Sequence, residues 1–184
     1  LYPDQEGNAF DGIGGNFRLQ NPKADPQVID YALENLRVAW SRVELPWKQW
    51  HPDAEKDPIA EVKKGNLDPK VKASMEMAQQ LDERGIPVIL AAWFAPDWAI
   101  IGKRAAGVNL DGSRGNQLDQ AKKEEIYESI TSYISYLKDE YGVETVMFSF
   151  NESDLGIDVR QTPEEHQQLI EELGNYFKNA GLKT

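Results

Sequence analysis

The sequence predicts an α/β chain built from four consecutive strand–helix units, and three observations predict it. Short apolar segments of strand composition recur at Phe10–Phe17, Val38–Leu45, Pro87–Phe94 and Val143–Phe150. The stretches that follow them carry apolar residues three or four positions apart, the spacing of one helix face. The punctuation is also regular. Asp-Pro or Thr-Pro opens three of the helical stretches, and a glycine followed by an apolar residue closes three.

Taken in order, the first strand contains Gly12-Ile13-Gly14-Gly15. A Gly-x-Gly turn can cradle a dinucleotide, but the third glycine of that fingerprint is missing and no helix begins there. A nucleotide role is therefore rejected. The first helix follows Asp25-Pro26 and carries Ile29, Leu33 and Leu36. After the strand Val38–Leu45, the second helix follows Asp68-Pro69 and carries Val71, Met75, Ala78 and Leu81. Gly85-Ile86 leads into the third strand. Ile126, Ile130, Ile134 and Leu137 mark the third helix, which stops at Gly142 before the fourth strand. Thr162-Pro163 opens the fourth helix, with Glu165 placed to complete a capping box and Leu169, Leu173 and Phe177 on its apolar face. Gly181-Leu182 is the expected start of a fifth strand.

Strict alternation of strand and helix implies a parallel sheet with right-handed crossovers. A doubly wound open sheet and a (β/α)8 TIM barrel both satisfy it. The connections after strands are long, at Pro46–Leu67 and Ala95–Leu118, whereas those after helices are very short. That asymmetry favours the barrel, whose functional loops follow the strands. Residues 1–184 are expected to form the amino-terminal half of a barrel catalytic domain, a half-barrel of about four βα units.

Composition narrows the function. A net charge of −11 opposes binding to nucleic acid or to an anionic membrane, and no apolar run reaches the length of a membrane span. The absence of Cys excludes disulfides, thiolate catalysis and thiolate metal sites. The two His, His51 and His166, are too far apart in sequence for a local metal motif and read as ordinary loop and helix residues. Leu1 is not a natural start, so removal of an amino-terminal segment is expected, with a secreted or periplasmic location over a cytoplasmic one.

The strand ends gather polar and aromatic residues. The first gives Asn16 and Arg18; the second gives Arg42 and Glu44, then Trp47, Trp50 and His51. The third gives Trp93, Asp97 and Trp98; the fourth gives Asn151, Glu152 and Asp154. Indole faces suit the apolar faces of sugar rings, and polar groups suit their hydroxyls. Trp47, Trp93, Trp98, Glu44 and Asn16 are thus expected to contact a carbohydrate substrate. A tryptophan near a strand end is nonetheless more often a packing residue. Arg42 and Glu44, two apart on one strand, share a face and could equally be a buried structural pair.

These residues resemble a known family. Ser41-Arg42-Val43-Glu44-Leu45-Pro46-Trp47, Trp93-Phe94-Ala95-Pro96-Asp97-Trp98 and Phe148-Ser149-Phe150-Asn151-Glu152 are similar to second-, third- and fourth-strand segments of clan A glycoside hydrolases. These are retaining (β/α)8-barrel enzymes that include cellulases, xylanases and glucosylceramidases. The resemblance implies that Glu152 is the general acid/base, that Asn151 bonds the sugar 2-hydroxyl and that Arg42 supports the catalytic carboxylates. The family's nucleophile lies on the seventh strand, beyond this chain. Ser153-Asp154 stands where the family often has proline. No metal or organic cofactor is implied, because two carboxyl groups about 5 Å apart suffice for retaining chemistry. The expected partner is a carboxyl-terminal half-barrel, on the same or a separate polypeptide, or a second copy of this chain. The alternative is a non-catalytic half-barrel that binds glycans or self-associates.

Overall fold

A computed structural model of the chain describes residues 7, 9–19, 21, 23–105, 114–150 and 159–184. Its central element is a parallel four-stranded sheet in the order β1 (Ile13–Asn16), β2 (Val38–Leu45), β3 (Val88–Ala92) and β5 (Met147–Phe150). The intervening and flanking helices are α1 (Asp25–Asn35), α2 (Trp47–Trp50), α3 (Pro58–Lys63), α4 (Pro69–Asp82), α5 (Lys123–Tyr141) and α6 (Pro163–Asn179). Two short strands, β4 (Asn116–Gln117) and β6 (Val159–Arg160), form a separate parallel pair that ties together the connections after β3 and β5.

One face of the sheet is covered. Val43, Leu45, Val88, Leu90 and Ala92 are at most 1% exposed and belong to one core with Val71, Met75, Ala78 and Leu81 of α4 and Ile130, Ile134 and Leu137 of α5. Each fully buried aliphatic side chain stabilises the fold by about 1.5–3 kcal/mol relative to leaving it in water. Residues pointing the other way, among them Asn16, Trp40, Arg42, Ile89, Met147 and Ser149, are partly or fully exposed. A doubly wound sheet buries both faces under helices. Helices covering one face, with the other face buried only locally at Glu44, Ala91 and Trp93, are the pattern of the first half of a (β/α)8 barrel, and that is the fold.

Local chemistry explains the boundaries. Asp68 accepts the Lys70 N–H at 2.7 Å, and Thr162 with Glu165 completes a reciprocal capping box at α6. Asp25 differs from expectation. It sits inside the first turn of α1 and accepts the Asn21 N–H, while Ala24 occupies the cap without a side-chain bond. Gly85, Gly142 and Gly181 all adopt positive φ, near 70°, and turn the chain out of α4, α5 and α6. Gly14 has a different role. A Cβ there would lie 2.7 Å from the Trp40 carbonyl oxygen, so the glycine permits close approach of β1 to β2.

The expected strands are longer than those observed at both edges. Phe10 is 80% exposed and Gly12 turns the backbone with φ 107°, so β1 begins only at Ile13. The fourth core strand starts at Met147, after a lead-in in which the Val146 N–H bonds the Val88 carbonyl at 3.0 Å. The connection Pro46–Leu67, expected as a loop, contains α2 and α3. Asp57 caps α3 by accepting the N–H groups of Ile59 and Ala60. After Gly181 the chain runs beside this lead-in: Lys183 N–H bonds Glu144, and the Thr184 and Thr145 hydroxyls meet at 2.6 Å.

Candidate functional site at the carboxyl end of the sheet

The register sets the site. Asn16 pairs with Arg42, Arg42 with Ile89 and Ile89 with Met147 across the sheet, one layer below Glu44, Ala91 and Ser149. Alternation along each strand puts all of these on the open face. Trp93 continues β3 on the same side and is only 5% exposed. The Arg42 guanidinium carbon lies 4.3 Å from the centre of the Trp93 ring, and that of Arg18 lies 4.8 Å from it. Both distances are within cation–π range. Asn16 is exposed at the β1 edge.

Glu44 does not offer a free carboxylate. It is 6% exposed, and its two oxygens accept from Arg18 Nε at 2.8 Å and Lys70 Nζ at 2.6 Å. A carboxylate buried this deeply must be paired, because desolvation otherwise opposes its charge. Its backbone carbonyl also accepts from the Ser74 hydroxyl, itself buried. The strand-end pattern placed Arg18 near the site without giving it a role. Lys70 had no signal, because it stands in the first turn of α4, far along the sequence from Glu44.

Two tryptophans lie elsewhere than expected. Trp47 is 1% exposed and donates its indole N–H to Ser129 Oγ at 2.9 Å, so it presents no face to a ligand. Its neighbour Trp50 donates to Ser132 Oγ at 3.0 Å. The two indoles, three residues apart on α2, thus meet two serines three residues apart on α5. Trp98 is half-buried and donates to the His51 carbonyl at 2.7 Å. It stacks edge-on against Trp47 and His51 rather than joining Trp93. The physical reason is shared: an indole that leaves the sheet in a connection finds a buried N–H acceptor there and becomes a packing residue.

His51 and Asp97 stabilise the same rim. His51 Nδ1 lies 2.8 Å from Ser129 Oγ, and burial holds the imidazole below its ordinary value against the pull of Asp57 and Asp53. Asp97 is held below the usual carboxylate range by the hydrogen bond from Arg104, with Lys48 adding to it. Arg104 also donates to the Ala95 carbonyl, fixing the turn that follows Trp93.

The fourth core strand ends at Phe150, and Asn151, Glu152 and Asp154 lie outside the described residues. Among the described residues no group of three or more His, Cys, Asp or Glu is placed to hold a metal ion, and no helix is long and apolar enough to cross a membrane. The described part of the site is therefore two guanidinium groups resting on a buried indole, with an exposed amide at one edge and a neutralised carboxylate behind. Trp93, expected to contact substrate, presents little of its ring and acts here as a support for Arg18 and Arg42.

A parallel sheet open on one face, with long connections after its strands, has the architecture of the first half of a (β/α)8 barrel. Comparison with solved structures narrows this further. The chain superposes on an endo-beta1,6-glucanase with a TM-score of 0.67 and 16% identity, covering 100% of this chain and 45% of that one. A GH30 endoxylanase from Clostridium papyrosolvens gives 0.64 and 19%, covering 89% of this chain and 39% of that one. The catalytic domain of GH30 xylanase C from Talaromyces cellulolyticus gives 0.64 and 16%, covering 96% and 45%. The chain is a distant match to GH30-type barrel glycosidases and spans less than half the length of each. At this identity the likeness establishes the fold. No protein-family model and no curated protein sequence matches the chain.

Proposed function

We propose that this chain supplies the first half of a retaining glycoside hydrolase barrel that cleaves O-glycosidic bonds in a poly- or oligosaccharide. The observation that carries this reading is the gathering of Asn16, Arg42 and Trp93 at the carboxyl end of the open face, beside a strand that ends immediately before Asn151-Glu152. The fold shared with two xylanases and a glucanase supports it. Glu152 protonates the departing glycosidic oxygen and then deprotonates the water that attacks the glycosyl-enzyme. Asn151 bonds the sugar 2-hydroxyl, and Arg42 supports the carboxylates. The nucleophile comes from the other half of the barrel, and this chain alone is inactive. We propose a secreted or periplasmic location, where a poly- or oligosaccharide substrate would be met, over a cytoplasmic one.

Native mass spectrometry decides whether a second half accompanies the chain. In the completed barrel, Glu152→Gln lowers kcat on an unactivated glycoside by at least about 10²-fold, the range expected for loss of a general acid. Hydrolysis at the wild-type rate would remove Glu152 from that role. A second reading is favoured by the exposure of Ile13 and Met147 at the two sheet edges, 72% and 53%. It is a non-catalytic half-barrel that pairs with a second copy of itself. It gives a dimer mass, saturable glycan binding or none, and no sugar release.

A further inference from the structure

We infer that Arg18, Glu44 and Lys70 form a clamp that sets the position of Trp93, and through it of Arg42, at the sugar-facing end of the sheet. This assignment rests on the glycosidase reading for its catalytic consequence. Glu44, expected to touch substrate, becomes instead a positioning residue, and Arg18 becomes one with it.

The geometry runs from a helix to the open face in three steps. Lys70, in the first turn of α4, holds one oxygen of Glu44 at 2.6 Å. The second oxygen holds Arg18 Nε at 2.8 Å. The Arg18 guanidinium then lies 4.8 Å from the Trp93 ring centre and 5.7 Å from that of Phe94. Arg42 contacts the same Trp93 ring at 4.3 Å. The carboxylate is almost fully withdrawn from water, so its two bonds are poorly screened and resist rearrangement. Its backbone is fixed as well, because the Ser74 hydroxyl donates to its carbonyl.

Charge explains why the carboxylate is required. Arg18, Arg42 and Lys70 converge on one rim, and without Glu44 their mutual repulsion would spread them. With Glu44 present, Arg18 is held within cation–π distance of an indole while its Nε still donates to the carboxylate. Trp93 then has a cation from the β1 side and another from β2, and its ring orientation follows from both. Arg42 rests on that ring, on the open face that β5 also borders. A small misplacement there acts on catalysis more than on affinity, because orientation at the reacting centre matters most in the transition state.

The test uses the protein with its barrel complete and compares Arg18→Met, Arg18→Lys, Glu44→Gln and Lys70→Met. Steady-state kinetics are read at a temperature where each variant is folded, together with the spectral contribution of Trp93, taken as the difference from a Trp93→Phe partner in near-ultraviolet circular dichroism. Arg18→Met is expected to lower kcat by about 10–100-fold with KM changed by less than about threefold, and to shift the Trp93 spectrum. Arg18→Lys keeps the charge and loses the plane, so it recovers little. Lys70→Met moves both readouts in the same direction and by less, and it serves if Glu44→Gln fails to fold. Unchanged kcat in Arg18→Met, or full recovery by lysine, overturns the clamp while leaving the glycosidase reading intact. If the wild-type protein releases no sugar, that reading fails, and the Trp93 spectrum alone decides the clamp: a shift in Arg18→Met supports it and no shift overturns it.

Discussion

At the scale of single residues, His51 shows how burial creates a pH response. Desolvation lowers its pKa from the ordinary value near 6.5, opposed by the Lys56 backbone and the charges of Asp57 and Asp53. Above about pH 6.5 the imidazole is neutral in folded and unfolded chain alike, and its contribution is complete. As pH falls below that value the unfolded chain takes up a proton that the folded chain does not, so stability is lost until the folded imidazole itself titrates. Tm of the wild-type chain should therefore fall further than that of His51→Gln between about pH 7.5 and about pH 5.5. Parallel Tm curves would assign the response to other groups. In sequence His51 read as an ordinary loop residue, because its Ser129 partner is far along the chain. Trp47 and Trp98 were displaced from the expected site for the same cause: the sequence shows an indole after a strand but not the acceptor that captures its N–H. Arg42 and Trp93, by contrast, lie on strands or their immediate ends, where alternation alone sets the face.

At the scale of elements, punctuation was the most legible feature. The capping box of Thr162 and Glu165 satisfies two N–H groups that would otherwise lack partners at the start of α6. Thr162→Ala should cost about 1 kcal/mol, lowering Tm by about 2–4 °C for a chain of this size; a thermal melt monitored at 222 nm reads it. Asp57-Pro58 carries the same signal as Asp68-Pro69, yet α3 went unread because it is too short to show an apolar period. The small sheet of β4 and β6 was not legible at all. Two residues per strand give no alternation to detect, and the pairing joins segments more than forty positions apart. The strand Val38–Leu45 was recovered to its ends, since it is paired on both sides and its covered face buries Val43 and Leu45 beside Ser41, whose hydroxyl bonds the Pro87 carbonyl.

For the whole molecule, the decisive feature is a sheet with one covered face and two edges that pair with no further strand among the described residues. Ile13 at one edge and Val146 and Met147 at the other expose apolar surface, at 72%, 45% and 53%. Open edges of this kind recruit further chain. The isolated chain should self-associate in sedimentation velocity as its concentration rises, and Met147→Lys should reduce that association while leaving the circular dichroism spectrum unchanged. A wild-type chain that stays monomeric at high concentration would show that these edges are tolerated in water. The barrel was readable from the asymmetry of its connections. Its chemistry was less so, because Asn151-Glu152, which carries the proposed acid/base, lies outside the described residues.

The two indole–serine bonds between α2 and α5 also impose an order on the chain's assembly. Each joins residues 82 positions apart, Trp47 to Ser129 and Trp50 to Ser132. Contacts of such separation form late, since the intervening chain must be ordered first. As the polypeptide leaves the ribosome, the first two strands can emerge and pair while the segment that follows them still waits for its anchor. The rim formed by α2 is thus completed only when α5 has been made, and the scaffold exists before the surface it is meant to hold.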